Sequence, residues 1–315
     1  MAADDALPAY VQTLGLSRDP FAPGDWGRYY GDAALRQRLD LLLYLVQSSD
    51  QLLVIKGPLG CGKSTLLRQF LGRAEAQFAT CVVSADERSD ASRILVAMAQ
   101  AFADAGPEPQ HHGESLAERL MELQRSGHHP LLVVDDAHLL SAEALRLILE
   151  QYEAMGEGGR LVRVVLFAES AIEALLDDAV RELKYRQDAR TMDIPPFTEQ
   201  QTEEYLQWRF QAAGLVGEVP FGAAQMRALH KRGRGLPGAI NQAAREVLER
   251  HRGGMGMKID FGGLKPLRLI LWAVPVAALV ALLVFQDRIN ALLATPARAT
   301  ILSPSKIGTT INLST

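Results

Sequence analysis

The chain has 315 residues, enough for about two domains, and its 48% hydrophobic and 22% charged content excludes an intrinsically disordered protein. A formal net charge of −4 argues against a strongly basic, nucleic-acid-binding surface over the whole molecule, while leaving room for a local patch. The only cysteines, Cys61 and Cys81, give neither a disulfide framework nor a zinc spacing and are expected to be reduced; residues 1–6 lack the basic and apolar regions of a cleavable secretion signal.

The first clear element is the apolar run Gln51-Leu52-Leu53-Val54-Ile55-Lys56, which predicts a strand. The octapeptide Gly57-Pro58-Leu59-Gly60-Cys61-Gly62-Lys63-Ser64 follows at once and fits G-x-x-x-x-G-K-[ST], a phosphate-binding loop. Its glycines let backbone N–H groups turn toward a polyphosphate, Lys63 supplies a charge for the β and γ phosphates, and the Ser64 hydroxyl is suited to ligate Mg²⁺. Thr65 opens a helix over residues 65–71 whose N-terminal dipole also favours an anion. The motif, with its strand and helix in place, implies binding of a nucleoside triphosphate such as ATP.

Further along, residues 80–84 read as a second strand and 91–102 as an amphipathic helix with Ile94, Leu95, Met98 and Phe102 on one stripe. Residues 107–113 read as a loop and 115–124 as a helix, after which Pro130 precedes the buried strand Leu131-Leu132-Val133-Val134-Asp135-Asp136. A helix over 142–152, a β-branched strand over 161–167 and a weaker strand over 190–194 complete an alternation of strands and helices. Such alternation predicts a parallel α/β sheet covered by helices. Beyond Thr198 the strands stop, and 199–213, 221–230 and 237–250 read as helices of a small lid. The predicted boundaries are 1–195 for the nucleotide-binding core, 196–252 for the lid and 253–266 for a Gly-punctuated linker.

The carboxylate pair closing the third strand is the second chemical signal. Asp135 is placed to hold Mg²⁺ directly or through water, and Asp136 to face the attacking water. The doublets His111-His112 and His128-His129 lie in polar, loop-like stretches without cysteine partners and read as solvated, and His138 reads as structural.

Residues 269–285, LILWAVPVAALVALLVF, form an uncharged apolar run of about 26 Å in helical form. With Leu267 and a snorkelling Arg268 it predicts one transmembrane helix over 267–286, followed by a short tail over 287–315. Arg250, Arg252, Lys258, Lys265 and Arg268 precede it, against Arg288 and Arg298 beyond it, so the nucleotide domain is expected on the cytoplasmic side of a bacterial inner membrane and the tail in the periplasm.

Taken together, Leu14-Gly15-Leu16-Ser17-Arg18-Asp19-Pro20-Phe21, the stretch GPLGCGKSTLLRQFL, the stretch LLVVDDAHLLS, and Gly235-Leu236-Pro237-Gly238-Ala239-Ile240-Asn241 resemble the ExeA/GspA-like branch of bacterial AAA+ ATPases, including the ATPase-bearing relatives of the cell-division protein DamX. The likeness runs over most of residues 10–250. It implies a P-loop AAA+ fold with a helical lid, ATP and Mg²⁺ as ligands, a homo-oligomer, and coupling to envelope or division proteins. Contact with peptidoglycan would need a C-terminal module, and the thirty residues after Phe285 are too few for one, so the expectation is that the module is absent or that this chain is a truncated product. Nucleic acid is not the expected partner; the alternatives are a nucleotide-dependent membrane scaffold with little hydrolysis and a DNA-binding transposition-regulator ATPase, a group that shares the same core.

Against the family pattern, Asp136 stands where a glutamate is usual, Glu169 where an amide follows the fourth strand, and Gly238 where the lid carries an arginine. Slower hydrolysis is the expected consequence, with Arg234 or Arg245 as candidates to replace the lid arginine. Arg186 and Arg190, just before the last strand, are the candidates for an arginine finger reaching a neighbouring subunit's nucleotide.

Overall fold

A computed structural model describes residues 7–22, 30–31, 33–75, 77–106, 115–156, 159–183 and 189–250. The loop at 107–113, Arg186, the linker, the apolar run at 269–285 and the tail lie outside the described residues. Among the described residues no helix is long and apolar enough to cross a membrane.

Five parallel strands make the central sheet: β1 (Leu52–Lys56), β2 (Phe78–Ser84), β3 (His129–Asp135), β4 (Arg163–Ala168) and β5 (Ala189–Asp193). Their spatial order is β2-β3-β4-β1-β5. Such an order brings the C-terminal ends of β1 and β3 to either side of the end of β4, which is what assembles the site described below.

Alternation along each strand divides the core. Leu52 and Val54 of β1, Leu132 and Val134 of β3, and Val164 and Leu166 of β4 face one layer. There they meet α4 (Ala91–Ala103), α5 (Leu116–Arg125), α6 (Ala142–Glu153) and α7 (Ile172–Leu183) through Met98, Phe102, Leu120, Ile148 and Ile172. The intervening residues Leu53, Ile55, Leu131, Val133, Val165 and Phe167 face the other layer. That layer is built by α2 (Ala33–Ser48) and α3 (Lys63–Ala74) through Leu39, Leu42, Leu66 and Phe70. A period of two buried on both faces is the pattern of a doubly covered parallel sheet.

Differences from the sequence reading have local causes. The third strand ends at Asp135 because Asp136 adopts the left-handed conformation (φ 52°, ψ 37°), which breaks the ladder. The fourth begins at Arg163 rather than Leu161, since Met155–Gly156 first pair antiparallel with Gly159–Arg160. The loop-binding helix starts at Lys63, two residues before Thr65. Helices α2 and α7 are not among the elements predicted from the sequence; in α7 the buried Ile172, Leu176 and Ala179 face the core on a helix otherwise dominated by charge.

The lid consists of α8 (Glu199–Ala212), α9 (Ala223–Gly233) and α10 (Pro237–Arg250) around Leu206, Phe210, Leu229 and Ile240. The N-terminal segment packs into this cluster rather than into the sheet. Tyr10, Val11, Leu16 and Phe21, with the short α1 (Ala9–Thr13), contribute to it, and Ser17 donates through its N–H and its hydroxyl to Ala213 O at 2.8 and 2.9 Å. Asp19, buried, fastens the segment: its carboxylate accepts from the Tyr10 hydroxyl (2.7 Å), the Phe21 N–H (2.8 Å) and the Arg245 guanidinium (2.8 Å). Burial and the Asp19 carboxylate together raise the Tyr10 hydroxyl well above the usual tyrosine range. Arg245 is thus committed to the N-terminal segment, which answers the expectation that it replaces a lid arginine.

Between α9 and α10, Gly235 sits at φ 71° and its carbonyl accepts from Phe197 N–H at 2.8 Å. A Cβ here would drive into the Phe197 carbonyl oxygen. Gly235→Ala is therefore expected to lower stability by about 2 kcal/mol or more, the left-handed strain adding to a collision with main chain that cannot move cheaply. Denaturant unfolding of the two proteins checks this; equal midpoints would contradict it.

Candidate functional site

The strand-to-helix turn after β1 is built for close main-chain approach. Gly57 follows Lys56 and donates to Ala168 O at 3.2 Å, tying the loop's start to the end of β4. A side chain on Gly57 would strike the Cys61 sulfur, which fills the space beneath it. Gly60 and Gly62 take φ 77° and 104°, a region that disfavours other residues. Pro58 and Leu59 lie exposed on the outer rim, and Cys61 is buried. Burial pushes the Cys61 thiol above its ordinary range, with the Lys63 charge opposing the shift, so the sulfur acts as packing.

Gly62 caps α3, and its carbonyl accepts from the N–H groups of Thr65 and Leu66, both at 3.0 Å. The N–H groups of Lys63 and Ser64 precede these bonds and, at a helix N-terminus, suit an anion. Ser64 and Thr65 are exposed. Lys63 is the reverse: only 5% exposed, its Nζ donates to Gly57 O (2.9 Å) and Pro58 O (3.3 Å) and lies 3.9 Å from the Glu169 carboxylate. A buried ammonium folded over a glycine-lined loop fits a polyphosphate.

Because β4 lies between β1 and β3, Asp135 ends roughly 10 Å across the sheet from the loop, at about 4.8 Å per strand. Asp135 is buried, and its Oδ1 accepts from the Asp136 N–H at 3.0 Å. Ser64 offers a hydroxyl and Asp135 a carboxylate, oxygen donors of the kind that suit Mg²⁺. Asp136, half-buried in its left-handed turn, is held by backbone geometry at the strand end.

Glu169 follows β4 and occupies the gap between these two groups. Its carboxylate is 3.9 Å from Lys63 Nζ and 3.9 Å from His138 Nε2. His138, read from sequence as structural, comes into the site: its Nδ1 accepts from the Glu169 N–H at 3.4 Å, which leaves Nε2 to carry the ring proton toward that carboxylate. The signal was its place three residues after Asp135, just past the strand that ends in the carboxylate pair.

The lid meets the loop through main chain. Gly238 N–H donates to Gly60 O at 3.0 Å, and an ideal Cβ on Gly238 would stand 3.1 Å from Gly60 Cα. Position 238 thus joins lid to loop as a glycine–glycine contact. Arg234, at the left-handed end of α9 (φ 50°), is exposed. Arg190 is exposed on the edge strand β5, paired in register with Leu53, three residues before Asp193. It lies roughly 10 Å below the strand ends at about 3.3 Å per residue, and its own chain's loop is not within its reach.

Comparison with protein-family models matches residues 46–176 to the AAA domain. The match spans the loop, Asp135, Asp136, His138 and Glu169. No curated protein sequence matches the chain. Among solved structures, the ORC2 protein of Aeropyrum pernix in its ADPNP–ADP complexes aligns with a TM-score of 0.52 and 16% identity over 75% of this chain and 67% of that one. CDC6P of Pyrobaculum aerophilum aligns with a TM-score of 0.51 and 15% identity over 74% and 65%. The ORC1 protein of Aeropyrum pernix in complex with DNA gives 0.50 and 19% over 74% and 64%. At these identities the likeness establishes a shared fold. Residues 46–176 thus match the AAA domain, on a P-loop AAA+ fold shared with these structures.

Proposed function

We propose that this protein is a membrane-anchored AAA+ ATPase that binds Mg²⁺–ATP and whose nucleotide state governs assembly of a cytoplasmic domain acting on envelope or division machinery. The observation that carries the ATPase part is the placement of Lys63, Glu169 and the Asp135–Asp136 pair along three neighbouring strand ends. The glycine-lined loop and the α3 N-terminus bind the phosphates, Lys63 neutralises them, and Ser64 with Asp135 hold Mg²⁺. When bound, Mg²⁺ draws charge from the phosphoryl oxygens. Asp136 orients the attacking water, and Arg186 or Arg190 reaches the nucleotide of a neighbouring copy in a homo-oligomer. Closure of the lid against the loop through Gly238 links nucleotide to assembly.

Anchoring rests on the uncharged run at 269–285 and the basic excess before it. A second reading, a membrane-tethered scaffold that binds nucleotide and scarcely hydrolyses it, is favoured by one observation: the Glu169 carboxylate beside Lys63.

Fusing an export-dependent reporter after Thr315 and, separately, after Gly263 tests the topology. The first fusion is expected to be active and the second silent, with the full chain in the membrane fraction. Two silent fusions and a soluble chain would overturn the membrane reading. In that case measurable DNA affinity at physiological salt would favour a DNA-acting ATPase, the ORC1 structure being a DNA complex of the same fold. Phosphate release from ATP by the full chain separates the ATPase from the scaffold.

A further inference from the structure

We infer that Glu169 makes this site selective for a nucleoside diphosphate over the corresponding triphosphate, its carboxylate standing where a γ-phosphate would otherwise take its charge partner. The inference rests on the nucleotide-binding reading above and concerns which nucleotide the site holds more tightly.

Three observations carry it. Lys63 Nζ, the group that meets the outer phosphates in this loop class, already has a carboxylate at 3.9 Å in addition to its two loop carbonyls. Any phosphate oxygen that reaches Lys63 from the side of β4 comes within a few ångströms of Glu169, a like charge. The backbone that carries it is held in place: Glu169 follows the buried Ala168 at the end of β4, whose carbonyl receives the Gly57 N–H, and its own N–H donates to His138 Nδ1, while the carboxylate lies 3.9 Å from His138 Nε2. The Glu169 side chain is one-third exposed (33%), so solvent and salt weaken the repulsion without removing it at such short range.

The charge pattern is asymmetric with respect to the two ligands. A diphosphate ends in the loop, among the N–H groups of α3 and beside Lys63, short of the β4 end where Glu169 stands. A triphosphate must add its last phosphoryl group beyond that point, toward the β4 end, where Glu169 faces it and Asp135 and Asp136 stand one strand further on. Those two acids are countered when Mg²⁺ is bound; Glu169 has Lys63 and His138 as its neighbours, and the triphosphate competes for the first of them.

The test uses the full chain, Mg²⁺ in excess, and calorimetric titration with ADP and with the non-hydrolysable triphosphate AMP-PNP, for the parent and for Glu169→Gln. The substitution keeps the shape of the side chain and removes its charge. The parent is expected to bind ADP at least about tenfold more tightly than AMP-PNP, and Glu169→Gln to bring the two within about threefold by gaining AMP-PNP affinity while ADP changes little. The melting temperature without nucleotide, measured alongside, checks that both proteins are folded. An ADP preference that is absent in the parent, or that persists unchanged in Glu169→Gln, overturns the inference and leaves the nucleotide site standing. A loss of AMP-PNP affinity in Glu169→Gln overturns it too and makes the carboxylate a magnesium-side ligand. Failure of the folded parent to bind either nucleotide overturns this inference together with the reading beneath it.

Discussion

Lys63→Ala is expected to weaken binding of both Mg²⁺–ADP and Mg²⁺–ATP by roughly 10- to 100-fold, the range of a charge-assisted hydrogen bond lost at an otherwise intact site. The ammonium is 5% exposed and its Nζ contacts are the Gly57 and Pro58 carbonyls and the Glu169 carboxylate, so it has no other structural partner of consequence among the described residues. Truncation leaves the exposed Pro58 carbonyl to water and opens a space beside the buried Gly57 carbonyl, and the helix behind is held by Leu66, Leu67 and Phe70. Calorimetric titration of the full chain measures the loss. Equal affinity in mutant and parent would remove the phosphate-loop assignment, and with it the functional reading.

Asp136→Asn is expected to lower ATP turnover at saturating nucleotide about 100-fold or more while ADP affinity stays within about threefold, because a carboxylate that orients or deprotonates water acts in the chemical step. The backbone makes this a clean comparison. Asp136 sits at φ 52° and ψ 37°, a conformation that asparagine adopts as readily as aspartate, so the amide changes charge without adding strain. Phosphate release under saturating Mg²⁺–ATP is the measurement. Unchanged turnover would move the water-positioning role away from Asp136, and Glu169, the carboxylate at the end of β4, becomes the group to replace next.

Much of the core was legible because its signals are local. The loop glycines and Lys63 are adjacent in sequence, and strand, loop and helix follow one another without interruption, so chemistry and geometry share a single stretch of chain. The apolar runs of β1, β3 and β4 read directly as strands covered on both faces. Less legible was α7: its core contacts recur at helical spacing among acidic and basic residues, and no proline or glycine marks its start. The N-terminal segment was recognised as part of the pattern, but nothing in its composition tells that Asp19 fastens it to Arg245, 226 residues away.

By itself, the sequence determined that the chain has a parallel, doubly covered sheet with a phosphate-binding turn after its first strand, since periodicity of two and a contiguous motif depend only on neighbours along the chain. Tertiary structure decided which distant residues share the site. The strand order β2-β3-β4-β1-β5 places Glu169 between Lys63 and Asp135, and the turn after β3 returns His138 to the Glu169 backbone. It also decided that Gly238 meets Gly60 through main chain while Arg245 is held elsewhere by Asp19. Those outcomes follow from how sheet and lid pack, a property of contacts between segments far apart in sequence, and no local pattern encodes them.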